Sequence, residues 1–495
     1  MLEAARLLRE GLLDPEEYYA ALYDRVRRLD GFLRAFTSLK PLEEAVAEAR
    51  RSLETRRGAP LAGVPVAVKD NIHVKGLPVT CGSRMLERYV AVYDATVVER
   101  LRAAGAVVIG KTNMDEFAMG STGETSAFGA ARNPWSPGRV PGGSSSGSAA
   151  AVAAGMAPGA LGSDTGGSIR LPAAWTGLYG YKPLYGRVSR YGLVSYADSL
   201  EQIGPMARSV LDLAALLEAI AGPDERDATT LPEEPPAAVA AAERGLEEGA
   251  EGMRVGLVAD LLEHPGVDPR AARLVERAAA LLERQGVEVV EARLGRDVVD
   301  YSLPAYYVIA MAEASSNLAR YDGVRYGPRV PPEPWESWNR YYSRIRAAYL
   351  GEEVKTRIML GAWMLSSGYR DQYYIRALKL RRLVRDRLRS LLQGMDALLL
   401  PSAVAPPPRL GEAVGDPERL YALDLANVPA NLSGLPALVA PVDTVDSIPM
   451  GVQLLGGPGR RGEEKLFTLA GALEAATGMK NLVAEPTPAG TSAEV

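Results

Sequence analysis

The chain has 495 residues, 47% of them hydrophobic and 24% charged, and a formal net charge of −5. That size and balance describe an ordinary globular chain with room for an extensive core. The acidic sign speaks against a molecule that grips nucleic acid by itself, because neutralising phosphates needs a basic face, and no basic stripe is read here. No apolar run reaches the roughly 18 residues of a membrane span. Two histidines and one cysteine are too few for a zinc site of Cys and His ligands.

The opening MLEAARLLREGLLDPEEYY reads as an amphipathic helix carrying acids rather than as a secretory leader. Cys81 has no second cysteine to pair with, which fits a reducing compartment, so the expected location is cytoplasmic. Residues 1–60 are predicted to be mostly helical, one run opening at Pro15 and another at Pro41. From Leu61 the period changes: GVPVAVKDNI is a short apolar run expected to be a buried strand ending at Lys69 or Asp70. A helix is predicted over Asp94–Ala104 with Asp94 as its N-cap, and AVVIGKTN follows as another strand. Strand–helix–strand at this spacing predicts an α/β sheet with helices packed on it.

Residues 117–190 are dense in Gly, Ser, Thr and Pro, but apolar segments alternate with the turns, which predicts order. Residues 222–252, rich in Pro, Ala and Glu, read as a surface excursion within the domain. Beyond them MRVGLVAD, VEVVEARL, MDALLLPS and PMGVQLLG are predicted strands, with helices at 269–285 and 352–393 between them. Strands on both sides of the excursion predict a single large α/β domain spanning 1–495. Its parts are the N-terminal helical segment 1–60, a core at 61–221, the excursion, and a remainder at 253–495 that completes the mixed sheet.

Three features carry chemistry. PGGSSSGS at 141–148 is a Gly/Ser loop running straight into an apolar helix; it lacks the lysine and the glycine spacing of a phosphate-binding loop. GSDTGGSIR at 162–170 offers successive backbone N–H groups on a tight turn, as an oxyanion hole around its own nucleophile requires. Such a turn taken alone is more often structural. Lys69 ends an apolar strand; it is either a solvated terminus or, if desolvated, a base near neutral pH. His264 sits in a polar turn and reads as a surface residue, while His73 follows a strand and is a base candidate lacking the G-x-S-x-G elbow of a histidine-based hydrolase.

Lys69 precedes the first serine loop by 75 residues and the second serine lies 24 further on. With GGSSSGSAAAVAAGMAPGALGSDTGGSIRLPAAWTGLYGYKP between and around them, the chain resembles the amidase signature family of Ser–cis-Ser–Lys hydrolases over nearly its whole length. The resemblance implies Lys69 as catalytic lysine, Ser144 as cis-serine, Ser168 as acyl-forming nucleophile, and the backbone of Thr165, Gly166, Gly167 and Ser168 as oxyanion hole. It also implies the family's fold, a mixed central sheet covered by helices on both faces. One departure is Ser146, where the family usually has glycine. Four segments (110–122, 305–327, 352–374 and 422–442) resemble the branch that serves as glutaminase component of tRNA-dependent amidotransferases more than free-standing amidases. That branch implies Tyr306 (with Tyr307 as alternate), Arg357 and Asp424 as glutamine-binding residues. The types agree with the substrate, since a zwitterion needs a cation for its carboxylate and an anion for its ammonium. Simpler roles exist for two of them: Arg357 as an i,i+4 partner of Glu353, and Asp424 as a cap. The resemblance further implies partner subunits B and C that use ATP and Mg to convert Glu-tRNA(Gln) to Gln-tRNA(Gln), with no metal or cofactor held by this chain. The alternative is a stand-alone amidase acting on another small amide.

Overall fold

The computed structural model describes residues 1–486; the predicted domain's last residues, 487–495, lie outside the described ones. Eleven strands follow in chain order: β1 (Phe36–Leu39), β2 (Pro65–Lys69), β3 (Val107–Thr112), β4 (Gly159–Asp164), β5 (Tyr179–Lys182) and β6 (Gln202–Ala207) in the first half. The second half adds β7 (Arg254–Val258), β8 (Glu288–Ala292), β9 (Ala397–Pro401), β10 (Ala437–Val445) and β11 (Ile448–Gly456). All join one sheet in the order β1-β3-β2-β4-β6-β5-β10-β11-β9-β7-β8. β3, β2 and β4 run parallel to one another, as do β9, β7 and β8, and antiparallel pairs bridge the two groups. The chain is thus a single α/β domain with a mixed sheet flanked by helices.

The strands at the centre are buried on both faces, so alternation gives way to mostly apolar runs with the polar residues of β2, β3 and β4 gathered at their C-terminal ends; every residue of β2, β3, β4 and β11 is buried. Helix Pro15–Leu33 begins as its sequence suggests, with the Asp14 carboxylate accepting from the Glu16 and Glu17 N–H groups at 2.8 and 3.1 Å. The predicted helix after β2 starts later than expected, at Thr96, with Ala95 in the capping position. Asp94 is not the cap, because its carboxylate accepts from the Lys75 N–H at 2.7 Å and ties down the preceding loop. Residues 222–252 hold the helix Ala238–Glu247, whose Ala238, Ala241, Ala242 and Gly245 are buried against the helix Arg460–Thr477. The expected 352–393 helix is two, Glu352–Leu365 and Tyr374–Leu391. The second carries seven basic residues against one acidic, so the chain does contain a basic face, hidden by its net charge.

Candidate active site

β2 delivers Lys69 to the C-terminal edge of the parallel strands, beside the end of β4. There the Lys69 Nζ lies 2.7 Å from Ser144 Oγ, 2.9 Å from Ser163 Oγ and 3.3 Å from the Ser163 carbonyl. Lys69 is fully buried with no carboxylate in contact, and burial pushes its ammonium down to about 7 against the more distant negative charges of Asp115, Asp164 and Glu201. The partners decide where its protons point. The Ser163 carbonyl only accepts, and Ser163 Oγ is itself fixed by the Asn71 Nδ2 donor at 3.0 Å. A neutral amine has two N–H groups, which these two acceptors occupy, so its lone pair is left facing the Ser144 hydroxyl.

Ser144 follows a cis peptide bond from Gly143. Glycine is required at 143 because a Cβ there would run into the Asp115 carboxylate. That carboxylate accepts from the N–H groups of Gly123 and Thr125 at 2.9 and 3.1 Å, while the Asp115 N–H donates to the Ser144 carbonyl at 3.2 Å. Ser145 stitches this loop to the next one, its N–H donating to the Ser168 carbonyl at 3.1 Å and its hydroxyl to the Ser163 carbonyl at 3.1 Å. Ser146, the departure from the family pattern, packs its buried hydroxyl toward Gly123 without a hydrogen-bond partner.

Ser168 sits on the turn from β4 into the helix Arg170–Thr176. Asp164 holds this turn: its carboxylate accepts from Gly167 N–H at 3.0 Å and Ile169 N–H at 3.1 Å, and pairs with the Arg170 guanidinium at 2.9 Å. Despite its burial, Arg170 holds the Asp164 carboxyl well below the usual range. Gly167 therefore does not offer its N–H as the sequence suggested, being turned toward Asp164. Among the described residues the N–H groups of Thr165, Gly166 and Ser168 make no hydrogen bond, and these three are the donors left for an oxyanion. Ser168 is 7% exposed, and its hydroxyl makes no hydrogen bond to Ser144. The structure thus brings Lys69 onto Ser144, and brings Ser144 and Ser168 onto adjoining loops without closing the second contact.

The opposite wall comes from the second half. Helix Arg296–Asn317 carries Tyr306 and Tyr307, and the helix Glu352–Leu365 crosses it closely where Gly361 backs onto the Met311 carbonyl. Tyr306 lies with its ring over Gly166, where any Cβ would collide with it. Tyr307 donates its hydroxyl to Asp424 Oδ2 at 2.7 Å, and Ser121 Oγ donates to both Asp424 oxygens at 2.9 and 3.0 Å. Burial pushes the Asp424 carboxyl up to about 7, partly offset by those two hydrogen bonds and by Arg357. Arg357 is 2% exposed; its Nε donates to Glu353 at 2.7 Å and its Nη1 to Tyr196 Oη at 2.9 Å. Its guanidinium carbon lies 5.3 Å from the Tyr307 ring centroid, and its Nη2 has no hydrogen-bond partner. The i,i+4 contact with Glu353 is real but inside the protein, so it orients a buried cation instead of decorating a surface. Asp424 caps nothing with its side chain. Both tyrosines reach the site, Tyr306 over the turn and Tyr307 on Asp424.

Asn71, Ser121, Ser163 and Tyr196 escaped the sequence reading. The only signal for them was a polar residue inside an otherwise apolar or glycine-rich stretch. His73 is not part of the site: its ring nitrogens bond the Gly192 carbonyl at 2.8 Å and Tyr89 Oη at 3.1 Å, and it stacks on Tyr93. His264 closes its own turn, accepting from the Gly266 N–H at 3.0 Å. Among the described residues no group of His, Cys, Asp or Glu could hold a metal ion, and no helix is long and apolar enough to cross a membrane.

This geometry accompanies extensive similarity to known proteins. The chain is 51% identical over 467 residues to the A subunit of glutamyl-tRNA(Gln) amidotransferase from Symbiobacterium thermophilum, covering 92% of this chain and 93% of that one. It is 48% identical over 454 residues to the protein of the same name from Saccharolobus solfataricus, covering 91% of each. Among solved structures it is similar to the A subunit of glutamyl-tRNA(Gln) amidotransferase from Thermotoga maritima, with a TM-score of 0.79 at 40% identity over 96% of this chain and 95% of that one. It is also similar to the peptide amidase of Stenotrophomonas maltophilia, with a TM-score of 0.76 at 32% identity over 96% of each chain. The family model described as Amidase matches residues 17–466, and the chain belongs to the amidase family.

Proposed function

We propose that this chain is the glutaminase subunit of a tRNA-dependent amidotransferase, hydrolysing glutamine at Ser168 and passing the ammonia to a partner subunit that amidates Glu-tRNA(Gln). The observation that carries the chemistry is the buried Lys69 amine against Ser144, with no carboxylate among the described residues in contact with it. Ser144 gives its proton to the Lys69 lone pair and takes the proton of Ser168, whose Oγ bonds to the glutamine amide carbon. The developing oxyanion is held by the free N–H groups of Thr165, Gly166 and Ser168. Protonation of the amide nitrogen through the same relay breaks the C–N bond and releases ammonia. Water activated by Lys69 and Ser144 then cleaves the γ-glutamyl ester, returning Ser168 and glutamate.

Choice of glutamine rests on the opposite wall. The unpaired Nη2 of Arg357 meets the α-carboxylate, the Asp424 carboxylate meets the α-ammonium, and Tyr306 and Tyr307 line the space between them and the turn. The names of the relatives support partner subunits, which in this reading are subunits B and C; ATP and Mg enter on the partner side, in the cytoplasm, and this chain holds no cofactor. The deciding experiment measures glutamine hydrolysis by the purified chain with and without those partners, for wild type and Ser168→Ala. Hydrolysis that rises with the partners and disappears in Ser168→Ala is expected. Ser168-dependent cleavage of simple amides with glutamine ignored would instead make the chain a stand-alone amidase.

A further inference from the structure

The helix Tyr374–Leu391 carries seven basic residues and one acidic. Arg382, Arg385 and Arg389 lie along one flank of it, about a turn or two apart, so that three guanidinium groups follow a line of roughly 10 Å at 1.5 Å per residue. They face a groove of about 460 Å³ whose other side is the Gly434 turn and the Pro458–Gly459 loop. That loop starts the helix Arg460–Thr477, which has no side-chain cap, so backbone N–H groups add to the positive field. Of the groove's arginines, Arg381 is committed to the fold, donating to Ser199 Oγ at 2.7 Å and the Leu432 carbonyl at 3.0 Å. Arg382 and Arg385 share the single Asp386 at 3.4 and 3.0 Å, and Arg389 has no ion pair among the described residues. The one acid lining the groove, Glu233, is already paired with Arg187 at 3.1 Å.

Structural arginines are normally matched by carboxylates or carbonyls, as Arg381 is. A row of three arginines sharing one acid carries a repulsion that, among the described residues, Asp386 alone offsets, and only in part, in a protein whose net charge is −5. We propose that this flank binds the phosphodiester backbone of an RNA. The planar guanidinium fork suits phosphate oxygens. Just before that helix the exposed rings of Trp363, Tyr369 and Tyr373 cluster, the two tyrosine centroids 4.7 and 4.8 Å from that of the tryptophan, a surface on which unpaired bases stack and an acidic peptide gains little. The inference deepens the proposed function and rests on it for the kind of RNA; it revises the expectation, drawn from the acidic net charge, that this chain does not grip nucleic acid by itself.

The test is fluorescence anisotropy of labelled unfractionated tRNA against the full chain, at salt from about 0.05 to 0.2 M. Wild type is compared with the triple variant Arg382→Gln/Arg385→Gln/Arg389→Gln and with a control of equal charge change, Arg27→Gln/Arg28→Gln/Arg51→Gln. The triple variant should bind at least tenfold more weakly than the control, and its salt slope should be shallower by about 2, at roughly 0.7–0.9 per lost phosphate contact. Free-glutamine hydrolysis in the same preparations should be unchanged, showing the fold intact. Equal RNA affinity in the triple variant and the control, or no RNA binding by wild type at the lowest salt, overturns the proposal. So does polyglutamate binding to wild type more tightly than RNA with the same arginine dependence, which would assign the groove to an acidic protein segment. Wild-type chain that binds RNA through these arginines yet ignores glutamine would remove the proposed function and leave the groove standing.

Discussion

Two buried aspartate–arginine sets flank the Ser168 turn, and they are built in opposite ways. Behind the turn, Asp164 and Arg170 are joined directly, and all five guanidinium N–H groups are used: on both Asp164 oxygens, Asn431 Oδ1, the Asn427 carbonyl and Gln453 Oε1. In front of it, Asp424 and Arg357 are not joined to each other. Asp424 has only hydroxyl donors, Arg357 keeps Nη2 free, and the two are linked only through Tyr307. The carboxyl behind is held below its usual range and the one in front is pushed up to about 7. A closed pair is scaffold, since its charges are already answered. An open one is poised for a ligand that brings both missing charges, as a free amino acid does.

Breaking the closed set should have the largest consequence. Asp164→Ala strands the Arg170 cation in the interior and releases the turn, and should destabilise the protein by about 3–5 kcal/mol, read as a lower urea midpoint at unchanged slope. Asp424→Asn should leave that midpoint nearly in place, and equal losses in both variants would erase the distinction. On activity, Ser168→Ala should lower glutamine turnover by at least roughly 10³-fold while the fold stands. Next come the open charges. Asp424→Asn and Arg357→Lys should each reduce kcat/KM for glutamine by about 10²-fold, or ~3 kcal/mol. The aspartate variant should in addition stop preferring glutamine over glutaramate, which lacks the α-ammonium; a preserved preference would place ammonium recognition elsewhere.

The pH profile sharpens the contrast further. In the proposed mechanism Lys69 acts as the neutral amine and Asp424 binds as the carboxylate, and burial brings both groups to about 7. Both active forms lie on the alkaline side, so kcat/KM should rise with pH through 7, its logarithm approaching a slope of 2 on the acid side. In Asp424→Asn that slope should fall to 1. The smallest effect is expected at Asn71, which orients Ser163 and through it the Lys69 lone pair. Asn71→Ala should lower kcat by about tenfold, the loss of one buried hydrogen bond, and leave KM for glutamine alone; a change confined to KM would contradict that positioning role.

Legibility in the sequence followed the locality of each signal. The serine loops and the strand carrying Lys69 are contiguous runs of small or apolar residues whose order mirrors their packing, so both could be read. Gln202–Ala207 could not, because Pro205 lacks the N–H a strand donates, yet it lies in the sheet between β4 and β5. The break between Glu352–Leu365 and Tyr374–Leu391 was missed although Ser366-Ser367-Gly368 marks it, because the long helix-forming runs on either side outweighed so short a turn signal. Asp94 looked like a cap by position, but a loop 19 residues earlier competed for its carboxylate.

By itself the sequence determined the α/β class, the short stretches bearing Lys69, Ser144 and Ser168, and the residue types able to recognise a zwitterion, because these depend on local pattern and intrinsic chemistry. Only the tertiary structure decided that Ser163 and Asn71 turn the lysine toward Ser144, that the Gly167 N–H goes to Asp164, and that among the described residues no cation pairs with Asp424. Those outcomes depend on which groups from distant segments meet where water is excluded, and burial is what converts an ordinary lysine and aspartate into groups that titrate near neutrality.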